Sequence, residues 1–479
     1  MTKKTNIPIN IVGGNTFGRY PKTSLASTYN MLISNDWLIP SAGYEIVSEL
    51  FGDGIGRGLF NSINLNKLVA VINDKVFLID DKFIATQIGT LDTITGDVFI
   101  DENNACQIAI CDKVHIHIYD YNPSTPPAKF VKADLNFVPL YVSFQDGYFI
   151  SVEQDRPIWR LSAPNNGLSW PAASNNEGGF QTKPDKPVAC IRVPGKGNNL
   201  FVMGHTVTEL WTDVGYKLFP YQRTSAFNID YGCINSSTIA FSEQFVVWLG
   251  TNEKTGPIIV LSSGGETKTI SNEGINYLIS NLSHPEKSYG YLVNQDGHML
   301  YYLTFVDPLD NLTLFYDFNT NSFFYATNYE MDFFPPRRVV FYNDGYYFVS
   351  FEDGNLYKLD STIYTYDYYH PLTREIEKKE IPMVRITDTV RLPDNSPFIA
   401  NNLTFTLEQG DSDEEQRIDL TLSRDGGNTF GSSLGANFNP IGKRANKVNF
   451  YQLGYANELT PQLRFWGKDR FLVSGGLLS

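Results

Sequence analysis

Ile158-Trp159-Arg160-Leu161-Ser162-Ala163-Pro164-Asn165-Asn166-Gly167-Leu168-Ser169-Trp170 is the stretch whose reading decides the fold. A short apolar strand, residues 158–161, ends at Ser162 and turns through Pro164-Asn165-Asn166-Gly167 to deliver a tryptophan. Proline fixes φ, while asparagine and glycine tolerate positive φ, so the turn has a mechanical cause. Strand, polar turn and strand recur on both sides of this unit for roughly 300 residues.

Working outward, residues 67–72 and 75–79 flank Asn73-Asp74 as a hairpin with a two-residue loop. Residues 107–110 and 114–119 flank Cys111-Asp112-Lys113, and 141–144 and 148–152 flank Gln145-Asp146-Gly147. Asp296-Gly297 and Asp344-Gly345 join further pairs, and Asp353-Gly354 precedes a strand from Asn355. Tight hairpin turns need positive φ at their central positions, which Asp and Gly adopt cheaply. Helical periodicity is nearly absent, and its best instance is 273–282. Hairpins every 40 to 50 residues suit the blades of a β-propeller, and 51–370 holds six or seven such units. A sandwich, which also uses many short strands, is the alternative. Residues 1–50 are polar and aperiodic and read as an extended arm packing on other parts of the chain or on other subunits. After the charged run 374–380, alternating strands at 403–407, 418–422, 447–453 and 462–466 predict an antiparallel β domain over 371–479, sandwich-like in form.

The chain has 479 residues, 38 basic against 52 acidic, for a net charge of −14. That balance argues against general nucleic-acid binding, which needs cationic grooves, but leaves room for a pore in which DNA must not stick. Four cysteines, at 106, 111, 190 and 233, form no disulfide framework. Lys3 and Lys4 are followed by Pro8 and Asn10 with no signal-like apolar core, and the longest apolar runs, such as 245–249, are far too short to span a bilayer. A soluble protein made in a reducing cytoplasm is expected.

Few residues suggest chemistry. Ser423-Arg424-Asp425-Gly426-Gly427-Asn428-Thr429-Phe430 matches the Asp-box of sialidases and related propellers. There Asp425 is expected to accept backbone N–H groups across a turn, with Ser423, Gly427 and Thr429 shaping it and Phe430 anchoring it; the box is structural. A sialidase also needs an arginine cluster and a Tyr nucleophile beside an acid, a pattern that Arg337-Arg338 and the tyrosines do not make in sequence. Cys111, His115 and His117 read as one strand face, and their spacing matches no closed zinc set. No phosphate loop or nucleophile elbow occurs, and 411–415 lacks calcium-loop spacing. Aromatic clusters at 323–325, 333–334 and 364–369 fit blade interfaces, with a subunit interface or a carbohydrate platform as the other readings. No catalytic residue, cofactor or metal ligand is assigned.

The chain resembles the tail nozzle, or tail hub, proteins of short-tailed bacteriophages, also described as packaged-DNA stabilisation proteins. The likeness starts at Trp159, Ser162, Asn166, Gly167 and Trp170 and continues through 200–211, with Gly204, Glu209 and Trp211, a strand pair close to that family's apolar-x-Gly-x-x-Ser/Thr-x-Glu-x-Trp. Phe219-Pro220, Gly232-Cys233-Ile234, Gly256-Pro257, Ile270-Ser271 and 289–305 follow in order. Tyr29-Asn30-Met31 with Ser41-Ala42-Gly43-Tyr44 resembles its N-terminal segment, and 423–430, Leu434-Gly435 and Leu453-Gly454 its C-terminal domain. The chain departs from the pattern at Pro164, Asn165 and Leu168, where Asp or Thr often stands. The resemblance implies a non-enzymatic virion tail protein made in the host bacterium. Six copies would form a ring below the portal and adaptor rings, extending the DNA channel, retaining packaged DNA with a plug or needle, serving ejection, and carrying fibres or spikes. Duplex DNA would pass through the lumen without specific binding, and Lys443, Arg444 and Lys447 are default surface cations. The rival readings are a propeller glycosidase or depolymerase and a carbohydrate-binding propeller.

Overall fold

The computed structural model describes residues 6–19, 26–154, 156–172, 176–217, 219–408, 416–438 and 445–479. Its repeating unit starts from the hairpin turns. Asp146 and Gly147 hold φ of +49° and +87°, and Asp296 and Gly297 +50° and +85°, so each tight turn is fixed by residues that enter the left-handed region at little cost. The turn after strand Pro336–Tyr342 differs from expectation by one position. It is Asn343-Asp344, at +41° and +60°, and Gly345 already pairs with Tyr342 as the first residue of the next strand.

Seven antiparallel sheets follow in chain order, at 56–90 (blade 1), 99–132 (blade 2), 139–179 (blade 3), 187–229 (blade 4), 232–269 (blade 5), 288–325 (blade 6) and 336–360 (blade 7). The longest step between them holds the helix Glu273–Ser280, which Asn272 caps by accepting the N–H of Ile275. This is a seven-bladed propeller. Strand Lys67–Ile72 shows why the blades stack. Its alternate side chains leave opposite faces of the sheet, so Leu68, Ala70 and Ile72 pack on Tyr342, Tyr347 and Val349 of blade 7, while Val69 and Val71 pack on Ile108 and Ile110 of blade 2. Each large apolar side chain so buried contributes about 1.5–3 kcal/mol, and no blade can bury both faces alone.

The described residues of the first fifty pack on other parts of the chain, one of the two placements expected of an arm, and they do so as strands. Among their described residues, Gly43–Glu49 pairs antiparallel with Asn355–Asp360 and supplies the fourth strand of blade 7, closing the ring. Ser27–Tyr29 pairs with blade 6 on one side and with Met383–Ile386 on the other. Ile7–Ile9 and Trp37–Pro40 join Leu472–Leu478.

Beyond the propeller lie two packed sheets. One is built on Phe398–Glu408, Ala445–Ala456 and Leu472–Leu478, and the other on Met383–Ile386, Glu458–Trp466, Gln416–Ser423 and Leu434–Phe438. Leu403, Phe405 and Leu407 of the first meet Ile418, Leu420, Leu463 and Phe465 of the second. Their core continues into blades 6 and 7 through Tyr44, Tyr302, Phe315, Phe324, Phe334, Phe348 and Tyr366. The rings of Tyr44 and Tyr366 stack at 4.4 Å, and those of Tyr302 and Phe315 at 5.0 Å. Most of the aromatic runs singled out in sequence are therefore interior.

Candidate functional site

The inner strands of the blades surround the propeller axis, and the two ends of that axis differ. At the end where the inner strands begin, cationic groups meet in the interior. Arg337 of blade 7, 6% exposed, donates to the carbonyl of Gly56 in blade 1, to the carbonyl of Gly96 and to Asp97, the last at 3.0 Å. Arg57, 1% exposed, donates to the carbonyls of Asn73, Thr93, Thr95 and Gly96 and so fixes the link between blades 1 and 2. Lys113 reaches Asp97 at 2.8 Å. Arg338 crosses to Ser237 of blade 5 and lies over the rings of Phe99 and Tyr289, from blades 2 and 6. Burial pushes the Asp97 carboxyl up, but Lys113, Arg338 and Arg337 outweigh it and hold the group well below the usual carboxylate range.

The other end opens into a cavity of about 590 Å³. Phe60, Phe99, Tyr141, Val142, Ile191 and Phe241 supply most of its wall. Two carboxylates, Asp101 and the exposed Glu243, stand on its lining, with Arg192 and Lys196. Burial raises the Asp101 carboxyl to about 6, against the opposing pull of Arg192.

The residues that carry the family resemblance lie elsewhere, between blades. Trp159 is fully buried and packs with Trp211 and Tyr221 between blades 3 and 4. Ser162 accepts the N–H of Phe149. The chain then folds back through the Ala163–Asn166 bridge, with Asn165 at φ +53°. Asn166 accepts the N–H of Leu168, and Gly167 donates to Gln107 Oε1 of blade 2 at 2.8 Å. A Cβ at Gly167 would lie 2.7 Å from Ile118, so only glycine permits that approach. Trp170 donates its indole N–H to Gly167 O and packs on Phe137 between blades 2 and 3. Glu209, with no exposed surface, accepts from the N–H groups of Gln181 and Thr182 and from the indole of Trp211. It thereby clamps the link from blade 3 to blade 4. Gly204 leaves room for Asp185, whose Oδ2 would be 2.4 Å from a Cβ there.

The chain's sequence matches the family profile described as "Bacteriophage P22 Gp10, beta-propeller", the phage stabilisation family, over residues 9–364. The chain belongs to this family. No curated protein sequence matches it. Among solved structures it is similar to a streptogramin B lyase (11% identity, TM-score 0.44, 67% of this chain and 98% of that one). It is similar also to the WD40 propeller domain of Doa1 (12%, 0.40, 67% and 97%) and to virginiamycin B lyase from Staphylococcus aureus (11%, 0.43, 66% and 98%).

In this chain the Asp-box lies beyond the matched span, at a turn between Gln416–Ser423 and Leu434–Phe438. Asp425 accepts from the Thr429 N–H and hydroxyl and from the Ser423 hydroxyl, bonds that draw its carboxyl down to about 2. Gly427, at φ +95°, donates to Ser423. Phe430 is only half-buried and joins none of the apolar clusters, so it does not anchor the turn as expected. Cys111 and His117 do not share a strand face either. Cys111 ends Gln107–Cys111 opposite Ile116, while His117 sits on the next strand opposite Ile110, on the other side of the sheet. Among the described residues no group of His, Cys, Asp and Glu fits a metal ion. No helix there is long and apolar enough to cross a membrane. The acidic run 411–415 and the pair Lys443 and Arg444 lie outside the described residues.

Arg57, Asp97 and Asp101 were not visible as site residues in sequence, although Arg57 between Gly56 and Gly58 is a cation in an apolar, glycine-rich strand. The arginines do converge in space with Tyr289 and Asp97. The forks of Arg57 and Arg337 are spent on backbone carbonyls and on Asp97, which makes a fastener of them rather than a substrate clamp.

Proposed function

We propose that this protein is a structural, non-enzymatic component of the virion tail. In this reading six copies form a ring below the portal and adaptor rings, extend the DNA channel, help to retain the packaged genome with a plug or needle, and present sites for fibres or spikes. The family match over residues 9–364 carries the reading. Two features support it. First, Trp159, Trp170 and Trp211, read in sequence as motif residues, pack in the joints between blades, as a rigid wall requires. Second, the net charge of −14 repels polyphosphate within about 8 Å at physiological salt.

The filled propeller axis bears on the course of such a channel in this reading. The propeller axis is filled by Arg338, Phe99, Tyr289 and Tyr141, whereas the major groove of a duplex is by itself about 12 Å wide. A DNA passage would therefore lie between copies and not along the propeller axis. The experiment is a projection of particles down the tail axis, with mass measurement of the isolated protein. A ring of copies with propeller axes off the central axis is expected. A lasting monomer absent from particles would refute the assignment.

A further inference from the structure

Asp101 is a carboxylate without a counter-ion at the wall of an apolar cavity. Its Oδ2 accepts the N–H of Phe144 at 2.7 Å and its Oδ1 that of Glu102 at 2.9 Å. A carboxylate offers about four acceptor positions, so roughly half its capacity is free. Among the described residues no ion pair within 4.0 Å engages it, although Arg192 acts on it from farther away. A half-buried charge on an apolar wall, left in this state, favours the approach of a cation. The remaining titratable groups around it are Glu102 on its own strand, Tyr141 of blade 3, Arg192 of blade 4, and Lys196 and Glu243 on loops at the cavity wall. Lys196 is already committed, donating to Gly264 O at 2.8 Å.

The cavity is of the size and character of a ligand site. Its roughly 590 Å³ lies within the range of about 300–1,000 Å³ typical of small-molecule pockets, apolar walls with few polar groups being the rule. Phe241, 46% exposed, stands on its lining and offers an aromatic face to an entering group. We propose that this axial cavity binds a cationic amine carried on an apolar or aromatic body, with Asp101 receiving the ammonium and the Phe60, Val142, Ile191 and Phe241 wall receiving the apolar part. Such a group can be a free arylalkylamine or a lysine side chain flanked by apolar residues on a neighbouring protein. This site is separate from the ring assembly proposed above and does not depend on it.

The test is calorimetric titration of the full chain with phenethylamine, phenethyl alcohol and phenylacetate, at pH 8 and again at pH 5. The expected result is an amine at least about tenfold tighter than the alcohol at the higher pH, with that preference shrinking as pH falls through about 6, where Asp101 takes up a proton. Asp101→Asn removes the preference. Phe241→Ala, at a partly exposed position, weakens amine and alcohol alike and keeps their ratio. Should Asp101→Asn fail to fold, the pH dependence in the unaltered chain decides instead. A capped Leu-Lys-Leu peptide, compared with its norleucine counterpart, separates the sources: a lysine preference larger than that of the free amine assigns a protein partner, and a smaller one assigns a small molecule. Equal affinity for amine and alcohol, tighter binding of phenylacetate, or no binding of any probe overturns the proposal.

Discussion

Replacing Arg337 by methionine tests how the ring is held shut. The guanidinium joins blade 7 to blade 1 through Gly56 O and to the start of blade 2 through Gly96 O and Asp97, and it lies over Tyr289 and Phe351. Methionine keeps much of the apolar stem but removes the donors to Gly56 O and part of the answer to the Asp97 charge, while Arg57 still donates to Gly96 O. Breaking a buried ion pair by removing one partner costs about 3–5 kcal/mol. Lys113 still holds Asp97 at 2.8 Å, which places the loss at the lower end, about 3 kcal/mol. With about 2.1 cal/mol/K of unfolding entropy per residue, 479 residues unfolding as one unit give about 1 kcal/mol/K, and so a drop of about 3 °C in the melting midpoint. Calorimetry reads that shift. Amide exchange should also quicken in Gly56–Ser62 and Pro336–Tyr342 before it does in blades 3 and 4. In a cycle with Asp97→Asn, the second substitution should cost much less in the Arg337→Met background than alone. A shift under about 1 °C, additive losses, or exchange that quickens uniformly would refute the view that this arginine closes the ring.

Glu209→Ala should destabilise by about 2–4 kcal/mol, because it strands the Trp211 indole and two backbone donors, while Glu209→Gln should lose less; urea midpoints compare them. Gly167→Ala should cost about 1–3 kcal/mol by forcing Ile118 and Phe149 aside, and the Trp170 fluorescence should redden as the loop lifts. Asp101 sets a pH dependence of known sign. Its folded value, about 6, lies above that of the unfolded chain, so its contribution is fully present below about 4 and is lost as pH rises through about 6. Stability profiles of the unaltered chain and Asp101→Asn should therefore converge in acid, where both side chains are neutral, and separate toward neutral pH with the variant the more stable, by no more than about 3 kcal/mol at about 1.4 kcal/mol per pH unit; parallel profiles would refute the assignment.

What could be read in advance follows the range of the forces involved. The tight turns were legible because positive φ is a property of Asp, Asn and Gly themselves, and Asp146-Gly147 and Asp296-Gly297 obey it. The one-residue error at Asn343-Asp344 has the same source, since three adjacent residues there tolerate the turn and only the register of Tyr342 with Gly345 chooses between them. The tryptophans announced themselves as core by type, yet which blades Trp159 and Trp170 join depends on neighbours far along the chain.

The sequence by itself determined a chain of short hairpins at blade spacing, an acidic balance, and a family motif order that runs from residue 29 onward. Only the tertiary structure decided that Gly43–Glu49 closes the last blade some 300 residues away, that the first strands enter the C-terminal sheets, and that Arg57, Arg337 and Asp97 meet in the interior while Asp101, held by two backbone N–H groups, faces a cavity. Local turn energies are written in adjacent residues. The closing strand and the buried charges are stabilised by partners whose sequence separation carries no periodic signal, so a basic or acidic residue reads the same there as on a solvated surface until the chain has folded around it.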